Sequence, residues 1–382
     1  MARIILNTYM VRYPLGGMIA WSLQYLLGFK RLGHDVYVFE HAGWPNACYN
    51  PVELTMSDDP SYGMRVCSET LARYGLPDRL CYRDLSGNYY GLSRPIADEI
   101  IRTADLIIDA RHQKQWQPES HFDGIRVLLA GEPGFQQIRM ARSKEDGGEL
   151  PSYDQYFSTG PNVGTATCSA PTVGLDWHPM IHPVVTDLFT PHVSRSSGRF
   201  TTIMNWQSYE RLTYNGVTYG HKDIEFERFA DLPGRVRVPM EIGVAGKEVP
   251  SEKLRSLGWL LREPNSVTMT YEDFIAYVSN SMGEFTVCKN GYVAMRTGWF
   301  SDRSGVYLAC GRPVVAQDTG FSDHLPCGAG LFAVNEVEEA ADAINEIDGN
   351  YEYHSRAARE LAVEYLDAGI ILPGFLARIG IS

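Results

Sequence analysis

The stretch that decides the fold is GWFSDRSGVYLACGRPVVAQDTG, residues 298–320. It reads as a loop, a helix, a glycine turn and a buried strand that ends in a second glycine loop. Ser301 stands where an N-cap belongs, and Gly311 with Pro313 makes the turn before VVAQ. A helix start presents unpaired N–H groups and the positive end of a dipole, so an anion is the ligand such a loop suits. Ser301, Asp302, Arg303 and Ser304 are therefore candidate anion contacts, with Lys289 and Arg296 as further cations just upstream. A capped helix with a solvated arginine is the plain alternative. His221-Lys222, behind Gly216 and Gly220, is a second basic loop ahead of a helix, and it adds Lys222 to the set. Asp318, Gly320 and Asp323 follow the buried strand where a sugar would meet a strand end, though Asp and Gly also serve simple turns.

Outward from this stretch the same alternation recurs. RFTTIMNWQ and MEIGVAG read as strands, KDIEFERFADLP, SEKLRSLGW and YEDFIAYVSNSM as helices, and GEFTVCKN as a strand. GLFAVN (330–335) is a last short strand before helices at 337–347 and 354–366. In the first half RIILNTY (3–9) leads into Gly16 and Gly17. A helix follows with Ile19, Leu23, Leu26 and Leu27 on one face, then the strand HDVYVFE (34–40). ADLIIDAR (104–111) and IRVLLAGEPG (125–134) repeat the buried strand with a polar end. The expectation is an α/β chain of two Rossmann-like, doubly wound domains facing a cleft. Residues 1–190 form the first, 198–364 the second, the proline-rich run at 179–198 joins them, and 365–382 is a separate terminal helix. Segments 44–100 and 141–180 read as irregular loops rich in Tyr and Trp.

Composition narrows the function. With 382 residues, 44% hydrophobic and 21% charged, the chain is an ordinary globular protein long enough for two cores. A net charge of -12 argues against wrapping nucleic acid, which needs many Lys and Arg on phosphates. Seven scattered cysteines without a CxxC support neither a disulfide framework nor a zinc cluster, so no metal is expected. No apolar run approaches the ~20 residues of a membrane helix, and MARIILNTYM lacks the features of a signal peptide, so a cytoplasmic location is expected. GxGxxG, GxxxxGK[ST], GxSxG and HExxH are all absent. For acid–base chemistry the first half offers Glu132, at the end of the 125–130 strand, and Asp109 and His112 after the preceding one. His41 is a weaker rival, and helix capping is the alternative role for Glu132.

ACGRPVVAQDTGFSDHLPCGAGLFAVNEVEEAADAI resembles the C-terminal donor-site signature of GT-B glycosyltransferases, particularly the broad family-4-like group. The N-terminal strand, Gly16-Gly17 loop, helix and RLGHDVYVFE are similar to the opening of the same fold. The resemblance implies a nucleoside-diphosphate sugar, UDP- or dTDP-linked, bound mainly by the second domain. It places a hydroxyl acceptor, a natural product or a carbohydrate, over the first domain near Gly16 and Gly17. It also implies a terminal helix that crosses back to the first domain, and a diphosphate held by the 299–304 loop with Arg303 and Lys289 and no metal. Many members carry two glutamates eight positions apart before the glycine turn. Aligned on Gly311, Gly298 and Val306 stand there, so those contacts do not transfer; Asp302 or Ser304 is left as a substitute for the ribose contact. A sugar-nucleotide-binding protein without activity, and an epimerase or phosphorylase of the same fold, are the alternatives.

Overall fold

The computed structural model describes residues 1–110, 120–191, 194–195 and 197–381. Two sheets carry it. The first contains β1 (Arg3–Asn7), β2 (Asp35–His41), β3 (Leu80–Arg83), β4 (Tyr89–Gly91), β5 (Leu106–Asp109), β6 (Ile125–Ala130), β7 (Gln155–Ser158) and β8 (Trp177–Pro179). Its order is β8-β7-β6-β5-β1-β2-β3-β4, parallel except where β4 turns back along β3. The second contains β9 (Phe200–Asn205), β10 (Met240–Ala245), β11 (Leu260–Arg262), β12 (Gly283–Thr286), β13 (Val314–Gln317) and β14 (Leu331–Val334), all parallel, in the order β11-β10-β9-β12-β13-β14. Both orders reverse once, between β1 and β5 in the first sheet and between β9 and β12 in the second. A doubly wound sheet opens its ligand crevice at that reversal, beyond the strands' carboxyl ends. Strand composition explains the parallel pairing: Ile4, Ile5 and Leu6 are all at most 1% exposed, as expected of a strand covered by helices on both faces.

The predicted strands are present with trimmed ends. The helix expected over KDIEFERFADLP is only Lys222–Phe226 followed by a 3-10 turn at Glu227–Phe229. The segments read as irregular contain regular structure. Residues 44–100 hold a hairpin (Cys48–Asn50 with Thr55–Ser57) and helices Ser61–Arg73 and Arg94–Thr103, and 141–180 contributes β7 and β8. Ser61–Arg73 buries Gly63, Cys67, Thr70 and Leu71 on one face. Only Leu71 of those four is a large apolar residue, so the helical period barely registers in the sequence.

Two crossings tie the domains. Val184 of the connecting segment pairs with the chain at Leu366–Ala368: its N–H donates to Leu366 at 2.7 Å and its carbonyl accepts from Ala368 at 2.8 Å. The terminal helix Ala368–Arg378 then lies on Gly16–Arg31 of the first domain, with Phe375 against Phe157 at 4.8 Å between ring centroids. Gly16, expected to serve the acceptor, lies where the second domain packs against the first. A Cβ there would stand 2.2 Å from the Thr270 carbonyl oxygen and 2.7 Å from Phe274 Cβ, both on the second domain. Gly17 instead borders the cleft, and its added Cβ would meet nothing nearer than 3.9 Å. Gly16→Ala is expected to lower stability by about 1–3 kcal/mol, because neither neighbour is a flexible side-chain tip, while Gly17→Ala has little effect. Thermal unfolding checks this, and equal melting temperatures for the two variants would refute it.

Candidate functional site

A cavity of about 1910 Å³ lies between the carboxyl ends of the two sheets and takes residues from both. Its second-domain floor is cationic. Lys222 follows β9, Lys289 follows β12, and these are the two strands that flank the reversal. Arg303 comes from the first turn of the helix Asp302–Ala309. All three border the cavity.

Each cation is held differently. Arg303 Nε donates to Glu284 Oε1 at 2.5 Å and its terminal nitrogen to Thr286 Oγ1 at 2.8 Å, both acceptors on β12. The Glu284 side chain is fully buried and its Oε2 has no partner among the described residues. Lys222 is 8% exposed, and no hydrogen-bond or ion-pair partner for its ammonium is found among the described residues. Burial, then the neighbouring charge of Arg303, lowers its pKa to about 7. Its backbone is fixed from below: Asn290 accepts from the Gly220 N–H at 3.1 Å and donates to Glu225 at 2.7 Å on Lys222's own helix. Lys289 donates to Glu132 across the cleft and stands 4.7 Å from the Tyr209 ring centroid. Ser301 caps the helix without a side-chain capping bond, so the first-turn N–H groups have no intrahelical acceptor and face the same region.

The remaining candidates divide. Asp302 borders the cavity beside Ser301. Ser304 is fully buried beneath it and its hydroxyl has no partner among the described residues, so it is a core hydroxyl and not a wall of the cleft. Arg296 sits at φ 49, which turns its half-exposed side chain away to Asp323 at 3.3 Å, outside the cavity wall. Asp318 caps its own turn, accepting from the Gly320 N–H and the Ser322 hydroxyl, each at 2.8 Å. Gly320 faces the first domain, where its added Cβ would stand 2.6 Å from Asn162 Nδ2. Neither is among the residues that border the cleft, and the 318–323 loop docks on the first domain through Asn162.

Of the acid–base candidates, Asp109 is 1% exposed, bonded by Asn7 at 2.9 Å and by the Tyr153 hydroxyl at 2.5 Å. It lies at the first sheet's reversal, held by these two bonds, and is not among the residues that border the cavity. His112 lies outside the described residues. Glu132 does border the cavity, and it accepts from Lys289, from Tyr209 at 2.9 Å and from Arg139 at 3.4 Å. This makes it a bridge between domains until a ligand competes for Lys289.

One residue of this site was not anticipated. His182, in the connecting segment, borders the cavity at 6% exposure. Its Nδ1 accepts from the Trp21 indole at 3.1 Å. An indole N–H only donates, so the neutral ring carries its proton on Nε2. Burial lowers its pKa against the pull of Asp302, which keeps it neutral. A histidine among prolines carries no local signal of this. Glu284 did leave one: a carboxylate inside the apolar run MGEFTVC.

The comparisons agree on the fold. No family model and no curated protein matches the chain. Among solved structures, an alpha-glucosyltransferase in complex with UDP and a 13-mer DNA aligns over 99% of both chains at 11% identity, TM-score 0.53. HepE of Anabaena, in complex with UDP and glucose, aligns over 99% of both at 10% identity, TM-score 0.54. Sucrose-phosphate synthase of Thermosynechococcus elongatus aligns over 99% of this chain and 98% of its own at 12% identity, TM-score 0.55. The chain has the two-domain GT-B fold that these glycosyltransferases share.

Proposed function

We propose that this GT-B chain is a glycosyltransferase that binds a nucleoside-diphosphate sugar, UDP- or dTDP-linked, against its second domain. It passes the sugar to a hydroxyl acceptor held over the first. The observation that carries this is the convergence of Lys222, Lys289 and Arg303 on one crevice at the sheet reversal of an acidic protein. Three cations and a helix start concentrate positive potential where a departing diphosphate develops charge, so the transfer needs no metal. The His182 Nε2–H donates to the donor from the first-domain side. Glu132, once the diphosphate draws Lys289 away, keeps Tyr209 and Arg139 as partners and accepts a proton from the acceptor hydroxyl. One neighbour was solved with DNA; the charge of -12 here favours an acceptor other than nucleic acid. No helix of the described residues is long and apolar enough to cross a membrane.

Calorimetric titration of UDP, dTDP and their glucose conjugates tests this, and its pH dependence tests Lys222. Above its pKa of about 7 the free protein's Lys222 is mostly neutral. A bound dianion favours the ammonium form, so binding takes up a proton. Affinity then falls as pH rises, approaching ten-fold per unit between about 7 and the bound-state pKa. Lys222→Arg stays charged and flattens the profile. A flat wild-type profile between about pH 7 and 9 would remove Lys222 from the diphosphate seat, and no binding of any nucleotide would remove the function.

A further inference from the structure

The cavity is larger than its cationic floor needs. At about 1910 Å³ it is roughly twice the upper end of the ~300–1,000 Å³ that a typical small-molecule site encloses. Over the first domain the wall changes character. Tyr9, Tyr13, Trp21, Trp44, Tyr49 and Met56 all border it there, and all but Met56, which is exposed, are half-buried. Trp21 is bonded to His182 and Tyr9 packs edge-on against Tyr13 at 6.5 Å between centroids, and each of these rings borders the open volume.

Behind this wall stands a built support. The Arg12 guanidinium is wholly buried, 4.8 Å from the Tyr9 ring centroid and 4.6 Å from that of Trp44. Its Nε donates to the equally buried Glu40 at 2.7 Å. Its two terminal nitrogens find no hydrogen-bond partner among the described residues. A buried guanidinium ordinarily uses its whole fork on oxygen acceptors. Here the terminal nitrogens are covered by aromatic rings. The arrangement locks Tyr9 and Trp44 in place, as a cation between two ring faces does. Rigid aromatic faces bordering open volume suit a flat ligand that stacks.

Resting on the transferase reading above, we propose that this wall is the acceptor subsite and that the acceptor has a planar aromatic body bearing the hydroxyl that receives the sugar. An oligosaccharide would need hydrogen-bonding side chains along its length. His41 and Arg83 also border the cavity on this side, with the acid of the region, Glu40, sealed behind Arg12.

Two planar phenols, 4-methylumbelliferone and naringenin, are titrated into the whole protein with and without saturating UDP, beside maltotriose. The expected result is saturable binding of at least one phenol, at least ten-fold tighter than maltotriose. Trp44→Ala and Tyr13→Ala should each weaken it ten-fold or more, with UDP affinity within two-fold of wild type and melting temperatures checked. Binding of neither phenol, preference for maltotriose, or phenol affinity within two-fold of wild type in both variants overturns the proposal. Phenol binding that persists in a protein unable to bind any nucleotide leaves the aromatic subsite standing and removes only the transferase reading.

Discussion

Arg303→Ala is expected to lose about 3–5 kcal/mol of folding stability and UDP binding in the same step. Arg303 is the counterion of Glu284, whose side chain is fully buried on β12. Removing one partner of such a pair strands the other charge in a low-dielectric interior, and that desolvation sets the size of the effect. For a domain of this size the loss lowers the melting temperature by roughly 6–20 °C. Binding fails separately, because the guanidinium beside the helix start is gone. The two effects are parted by Arg303→Met combined with Glu284→Gln, which leaves no stranded charge. That double variant should melt near wild type and still not bind UDP in calorimetry. Wild-type affinity in it would show that Arg303 does not touch the diphosphate, and a wild-type melting point for Arg303→Ala would show that Glu284 does not depend on it.

The second large effect lies in the first domain. Glu40→Ala is expected to cost about 3–5 kcal/mol. Glu40 accepts from the Val11 N–H at 2.6 Å, the Arg12 N–H at 3.0 Å and Arg12 Nε at 2.7 Å, with neither side chain exposed. Its loss leaves a buried guanidinium with aromatic faces as its main company, each contact worth about 2 kcal/mol in a desolvated site. Replacing both partners with methionine removes the stranded charge and should recover most of the stability, since apolar substitutes for a buried pair are often neutral. The rings then lose the cation between them, so near-ultraviolet circular dichroism should change while far-ultraviolet signal stays. A single Glu40→Ala variant that unfolds at the wild-type denaturant midpoint would contradict the account.

The pair also shows where sequence reasoning stops. Glu40 at the end of the second strand is visible as an acid in a polar position, but acids at strand ends are common. Nothing local says that Arg12, 28 residues earlier, folds back under it. The same holds for Asp318 and Arg296. Both follow strands or turns in the right stretch of chain, and one caps its own turn while the other is rotated outward by a positive φ. Asp109 stands at the reversal of its sheet, bonded by Tyr153, and is not among the residues that border the cleft.

What the chain's own order of residues determined is the succession of apolar strands, glycine turns and amphipathic helices, and with it the doubly wound domains and the basic residues at their strand ends. Those patterns arise between neighbours a few positions apart, through steric preference and apolar periodicity, so they are legible without coordinates. Which strand-end side chains meet was decided only in three dimensions. Lys289 reaches Glu132 across 157 positions, Trp21 fixes the tautomer of His182 across 161, and Gly16 admits the second domain's Thr270. Those contacts depend on how two domains pack, and packing answers to the shape and charge of the whole chain.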